Sequence, residues 1–186
     1  MRQAAQVLRA GGLVAFPTET FYGLGAAGLD SVATRRVFAA KGRPSSMPLL
    51  LLVDSRAMAA TVATAIPAHA VALMERHWPG ALSLVLPASD RVPAEVTAGT
   101  GTVGVRVSAH PVARALVRAL GEPVTAPSAN PTGGAPPVTA EEVLAHFDGV
   151  IDLILDAGPT PGGAPSTVLD VTVDPPRLVR QGAVLV

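Results

Sequence analysis

The apolar positions of this chain fall into two kinds of block that alternate along its length: stretches with helical spacing and short unbroken apolar runs. Gln3–Ala10 has helical spacing and is ended by Gly11-Gly12. Leu13-Val14-Ala15-Phe16, bounded by Gly and Pro, reads as a buried strand, and Pro17 to Gly25 as a polar, glycine-bearing loop leaving its end. Asp30 or Ser31 can cap a helix to about Ala40, which Lys41-Gly42-Arg43-Pro44 closes, since Gly is favoured just past a helix and Pro cannot continue one. Pro48–Val53 is a second buried strand; a helix over 67–77 is broken by Pro79-Gly80, and Ala81–Leu86 follows as a strand. Then come the strand Val103–Val107, a helix Pro111–Leu120 with proline in its first turn, and a short strand Pro123–Ala126. The helix Thr139–Phe147 carries a capping box between Thr139 and Glu142. The strand Ile151–Leu155, a loop over Gly158–Pro165, and strands at Ser166–Val171 and Leu178-Val179 complete the chain.

Strands alternating with helices, with no linker and no internal repeat, predict an α/β fold: one domain over 1–186, built on a twisted, mostly open mixed sheet flanked by helices. Its polar loops follow strand ends, where open α/β sheets place their ligand sites.

Composition narrows the chemistry. There is no cysteine, which removes disulfides, thiolate nucleophiles and Cys-based zinc sites. The longest purely aliphatic run is Leu49–Val53, far short of the ~20 residues a bilayer needs. Met1–Gln6 lacks the apolar stretch of a secretory signal, so the expected location is the cytoplasm, with no membrane partner. Net charge is zero, which gives the chain as a whole no pull toward nucleic acid. Of 14 basic residues only Lys41 is a lysine, in a chain rich in Ala, Gly, Pro and Arg. A lysine retained against such a bias points to a task for a compact, mobile ammonium rather than a planar fork.

Several motifs carry less than they first offer. Gly23-Leu24-Gly25-Ala26-Ala27-Gly28 has the dinucleotide-binding spacing, but it does not follow its strand directly and has no acidic residue about 20 positions on. Lys41 has no Walker loop before it. His69, His77, His110 and His146 are scattered without ligand-like pairing, so no protein-held metal is expected. No serine lies in a G-x-S-x-G elbow.

What remains is a set of polar residues on loops and strand ends. Arg43 precedes proline and is expected to be extended; Lys41 and Arg43, two apart, would then point the same way and grip phosphate oxygens together. The alternative is a solvated helix end. Thr18, Glu19 and Thr20 crowd one post-strand loop, Ser128 and Asn130 a second, Ser166 and Thr167 a third, while Arg106 and Arg180 end apolar strands. Singly, each is commonly a turn cap or a solvated edge; together they mark one site.

These residues occur as Pro17-Thr18-Glu19-Thr20-x-Tyr22-Gly23-Leu24-Gly25, Lys41-Gly42-Arg43-Pro44, Pro127-Ser128-Ala129-Asn130, Ser166-Thr167-Val168 and Arg177-x-x-Arg180-x-Gly182. In that order and spacing the chain resembles the YrdC-type threonylcarbamoyl-AMP synthases over almost its whole length. The resemblance implies a YrdC-like fold with ligands in a basic concave cleft. It implies a nucleotidyltransferase that makes threonylcarbamoyl-AMP and pyrophosphate from L-threonine, bicarbonate and ATP. The product would pass to a tRNA threonylcarbamoyl transferase for t6A modification of tRNA. Lys41 and Arg43 would hold the ATP phosphates; Thr102, Ser128, Asn130 and Arg180 would line the nucleotide; Thr20, Arg106 and Ser166 would orient threonine. Mg²⁺ would ride on the ATP phosphates, with weak RNA binding as a side property. The extra C-terminal domain of longer members is not expected. Met47 stands where many relatives carry Asn, and Leu52 where some carry a His that touches threonine, which bears on amino-acid specificity. The competing readings are a paralogue using another carbamoyl substrate and an RNA-binding module. The RNA-binding reading predicts steep salt dependence and indifference to ATP.

Overall fold

Local sequence signals set most of the element ends in the structure, a computed structural model that describes residues 1–186. The chain runs α1 (Arg2–Arg9), β1 (Val14–Pro17), β2 (Tyr22–Gly25), α2 (Ser31–Lys41), β3 (Leu50–Leu52), α3 (Arg56–Val62), α4 (Ala68–His77) and β4 (Leu82–Pro87). It continues with α5 (Ala94–Thr97), β5 (Thr102–Arg106), α6 (Pro111–Leu120), β6 (Val124–Thr125), α7 (Ala140–Phe147), β7 (Leu153–Ile154), β8 (Thr167–Asp170) and β9 (Arg177–Arg180). The Asp30 carboxylate accepts from the amides of Val32 and Ala33 to start α2, and Gly42, at φ 56° and ψ 38°, stops it. The capping box of Thr139 and Glu142 forms as expected at the head of α7.

Two sheets carry these elements. The larger has the order β6-β3-β5-β4-β8-β9 and mixes parallel pairs (β3 with β5, β4 with β8) with antiparallel ones. The smaller has the order β2-β1-β7. Single bridges from Gly23 to Ser128 and from Ala27 to Val124 join the flank of β2 to the chain around β6. No helix is long and apolar enough to cross a membrane.

The sequence reading misses three elements. The helices α3 and α5 were not anticipated; α3 is short, capped by Ser55, and buries only Ala59 and Val62, too little to set a visible period. The strand β2 lies inside the stretch expected to be loop. Its glycines look like turn residues, but they serve close packing. A Cβ at Gly25 would sit 2.8 Å from the Phe16 ring and 2.9 Å from Val124, and one at Gly28 would sit 2.8 Å from both Leu51 and the Pro123 carbonyl. The G-x-G-x-x-G run is therefore the seam along which the β1–β2 hairpin crosses the larger sheet.

The core divides accordingly. One apolar cluster, including Leu24, Leu51, Leu84, Val105 and Phe147, lies between the sheets and their outer helices. A smaller one, including Leu8, Phe16, Leu52, Leu116 and Val124, seals α1 and α6 against β1.

Candidate active site

Where the hairpin crosses the larger sheet, the chain encloses a cavity of about 730 Å³. Thr18 and Thr20 from the β1–β2 connection, the 43–50 segment, one face of β5, the 126–128 segment and the β8–β9 pair form its wall. The period of 2 along β5 puts Thr102, Gly104 and Arg106 on that wall together. Gly104 is the floor: a Cβ there would meet Leu50 at 3.1 Å.

Seven of the nine predicted site residues line this cavity: Thr20, Arg43, Thr102, Arg106, Ser128, Ser166 and Arg180. Lys41 and Asn130 do not, and the expected Lys41–Arg43 pincer is not formed. Lys41 is still helical and Gly42 takes the left-handed conformation, so the two side chains diverge instead of sharing a face. Arg43 turns back to the carbonyls of Met47 (3.2 Å) and Pro48 (2.8 Å). Lys41, only 3% exposed, donates through Nζ to the carbonyls of Ser128 and Asn130. It sits in a buried tether rather than on a polar loop. Burial, helped by the charge of Arg43, brings its pKa down to about 8. Asn130 is spent on the same loop, its Nδ2 donating to Pro131 and Gly134 carbonyls at 2.8 and 2.9 Å. Its Oδ1 is buried and has no partner.

Arg106 is the most enclosed cation of the wall. Its Nη1 lies 3.5 Å from Glu19 Oε1, and the other Glu19 oxygen accepts from the Ser108 hydroxyl. Arg106 Nε has no hydrogen-bond partner at all. Burial pushes the guanidinium pKa down, the Glu19 charge opposes that, and Arg180 adds to it. Arg180 is held by Ser166, donating to its carbonyl from Nε at 3.2 Å and Nη2 at 2.8 Å. The glycine of Arg177-x-x-Arg180-x-Gly182 has a packing reason: a Cβ at Gly182 would be 2.1 Å from the Pro165 carbonyl.

The Thr18 hydroxyl ties the hairpin connection together. Thr18 Oγ1 donates to the Phe21 carbonyl at 2.7 Å. Thr18 Oγ1 also accepts from the amides of Thr20 at 3.2 Å and Phe21 at 3.3 Å, and it lies 3.1 Å from Thr20 Oγ1.

Two positions flagged in the sequence fall differently. Leu52 is 1% exposed within the smaller apolar cluster and does not line the cavity, so it alters no wall contact. Met47 lies on the rim, 41% exposed. Two functional neighbours escaped the sequence reading, Ser108 beneath Glu19 and Ser83 beneath Ser166. Ser83 had a readable signal: it is the one polar residue in the apolar run Ala81–Leu86.

The Sua5/YciO/YrdC family model, described as telomere recombination, matches residues 6–182. This chain belongs to that family. It is 47% identical over 182 residues to a threonylcarbamoyl-AMP synthase of Pyrococcus abyssi, covering 98% of this chain and 54% of the relative. It is 45% identical to the Bacillus subtilis protein of the same name, covering 98% and 53%. The chain thus spans about half the length of these relatives. Among solved structures, P. abyssi Sua5 complexed with L-threonine superposes with a TM-score of 0.95 at 48% identity, covering 97% of this chain and 53% of that one. Escherichia coli YciO superposes with a TM-score of 0.88 at 30% identity, covering 98% and 88%. Such agreement fixes the Sua5/YciO/YrdC fold for this chain.

Proposed function

We propose that this chain is a nucleotidyltransferase that condenses L-threonine, bicarbonate and ATP into threonylcarbamoyl-AMP, releasing pyrophosphate, as the first step of t6A formation on tRNA. The observation that carries the reading is the wall itself. Three guanidiniums, Arg43, Arg106 and Arg180, and no carboxylate line one cavity, and the only side-chain partner of Arg106 is Glu19, in an ion pair of 3.5 Å. Such a wall suits a carboxylate and a polyphosphate side by side. It supplies no acidic ligand, so Mg²⁺ would enter on the ATP phosphates as part of the substrate.

In this reading Arg106 takes the threonine carboxylate and Thr20 accepts from its amino group. Ser166 completes the amino-acid subsite. Arg43, Thr102, Ser128 and Arg180 hold the nucleotide, with Asn130 shaping the loop. Lys41 reaches the phosphates only by releasing the carbonyls of Ser128 and Asn130, so nucleotide binding and the setting of that loop are linked. The threonine amine and bicarbonate give a carbamate and water. A carbamate oxygen then attacks the α-phosphorus, the α–β bridge breaks and pyrophosphate leaves. The chain's contribution is alignment and charge neutralisation. The product would go to a tRNA threonylcarbamoyl transferase in the cytoplasm.

Mass spectrometry of a reaction with ATP, Mg²⁺, bicarbonate and each amino acid tests this. Threonine should give the adenylate with equimolar pyrophosphate. Serine should follow, having lost a methyl group worth about 1–3 kcal/mol, and valine, without the hydroxyl, should be nearly inert. Pyrophosphate release that ignores threonine, or equal turnover of valine, would overturn the reading.

A further inference from the structure

Ser83 lies on β4, fully buried, inside an otherwise apolar run and outside the cavity wall. Its hydroxyl has a single hydrogen-bond partner, Ser166 Oγ, at 3.0 Å. A buried hydroxyl with one partner gains most by donating to it, because an unpaired proton costs more than an unfilled lone pair. Ser166 Oγ also accepts from Arg180 Nη2 at 3.2 Å. These two donors fill the acceptor capacity of Ser166 and leave its own proton without a protein partner, on a residue that lines the cavity.

We infer that Ser83 is a positioning residue that fixes the proton of Ser166, making that hydroxyl an obligate donor toward the bound amino acid. The inference rests on the reading of the cavity as the threonine site. An oxygen of the ligand therefore belongs beside Ser166. A reversed Ser83–Ser166 bond would use up the Ser166 proton and leave Ser166 no donor for the ligand. Ser83 thus acts on specificity through Ser166 without touching the substrate.

The test is a double-mutant cycle read by calorimetric titration of L-threonine, with ATP titrated in parallel. Ser83→Ala should weaken threonine binding roughly three- to tenfold, the scale of one hydrogen bond, and leave ATP affinity within about twofold. Ser166→Ala should weaken threonine more, and adding Ser83→Ala to it should cause no further loss. A merely structural Ser83 would give additive losses, which would overturn the inference, as would unchanged threonine affinity in Ser83→Ala. Should Ser83→Ala fail to fold, Ser83→Cys keeps the shape with a weaker donor. An intermediate threonine affinity is expected there, and wild-type affinity would count against the role. A wild-type protein that binds ATP but no threonine would instead remove the reading of the cavity, and this role for Ser83 with it.

Discussion

Two buried cations, Lys41 and Arg106, are each 3% exposed, yet they have opposite surroundings. Lys41 ends α2 and is matched by two backbone carbonyls of the 128–130 loop, off the cavity. Arg106 ends β5 on the cavity wall with a long ion pair to Glu19 and an Nε that bonds nothing. A buried charge spent on two backbone carbonyls holds the fold, and one that makes only a long ion pair on a cavity wall keeps donors for a ligand. Burial and sign are the same for both; the count of unfilled donors separates them.

The sharpest way to break this contrast is Arg106→Ala. It removes the proposed carboxylate partner and leaves Glu19 without its ion pair, a loss on the order of 3–5 kcal/mol. Threonine affinity should fall by roughly a hundredfold or more while ATP affinity falls far less. Isothermal titration with each ligand decides it, and an effect confined to ATP would reverse the assignment of the two ends of the cavity.

Lys41→Ala should act first on stability. It strands the Asn130 carbonyl, while the Ser128 carbonyl keeps the Asn130 amide at 3.0 Å, so the loss should be about 1–3 kcal/mol. For a chain of this length that is a drop in melting temperature of roughly 2–12 °C. Lys41→Arg should recover only part, since a planar fork cannot replace a compact ammonium between two carbonyls. Unchanged melting of Lys41→Ala would show that the tether carries no weight.

The smallest effect is in pH. The Lys41 pKa of about 8 lies below its ordinary value of 10.5, so between these values the unfolded chain keeps a proton that the folded chain has released. The contribution of Lys41 to stability is therefore flat below about pH 8 and rises from there toward 10.5. Its attraction for phosphate runs the other way. ATP affinity should weaken across the same window while this residue adds to thermal stability, and Lys41→Arg, charged throughout, should keep its ATP affinity. Identical pH profiles for the two proteins would mean that Lys41 does not reach the phosphates.

Most of the element order could be read from the residues alone, and seven of the nine residues expected at a site, on motifs and on the family resemblance together, line one cavity. Capping residues, apolar runs and loop-end punctuation act over a few positions, and Asp30, Gly42 and the Thr139–Glu142 box specify their ends without help from the rest of the chain. The strand character of Tyr22–Gly25 was not readable, because Gly25 and Gly28 are demanded by Phe16, Val124, Leu51 and Pro123, which only the fold brings near. The same holds for Lys41. Its singularity marked it from composition, but its partners lie 87 and 89 positions away. Sequence spacing fixes the direction of a side chain only within one element. Hydrogen-bond satisfaction, which separates Lys41 from Arg106 and gives Ser166 its free proton, is a property of neighbours that meet only when the sheets cross.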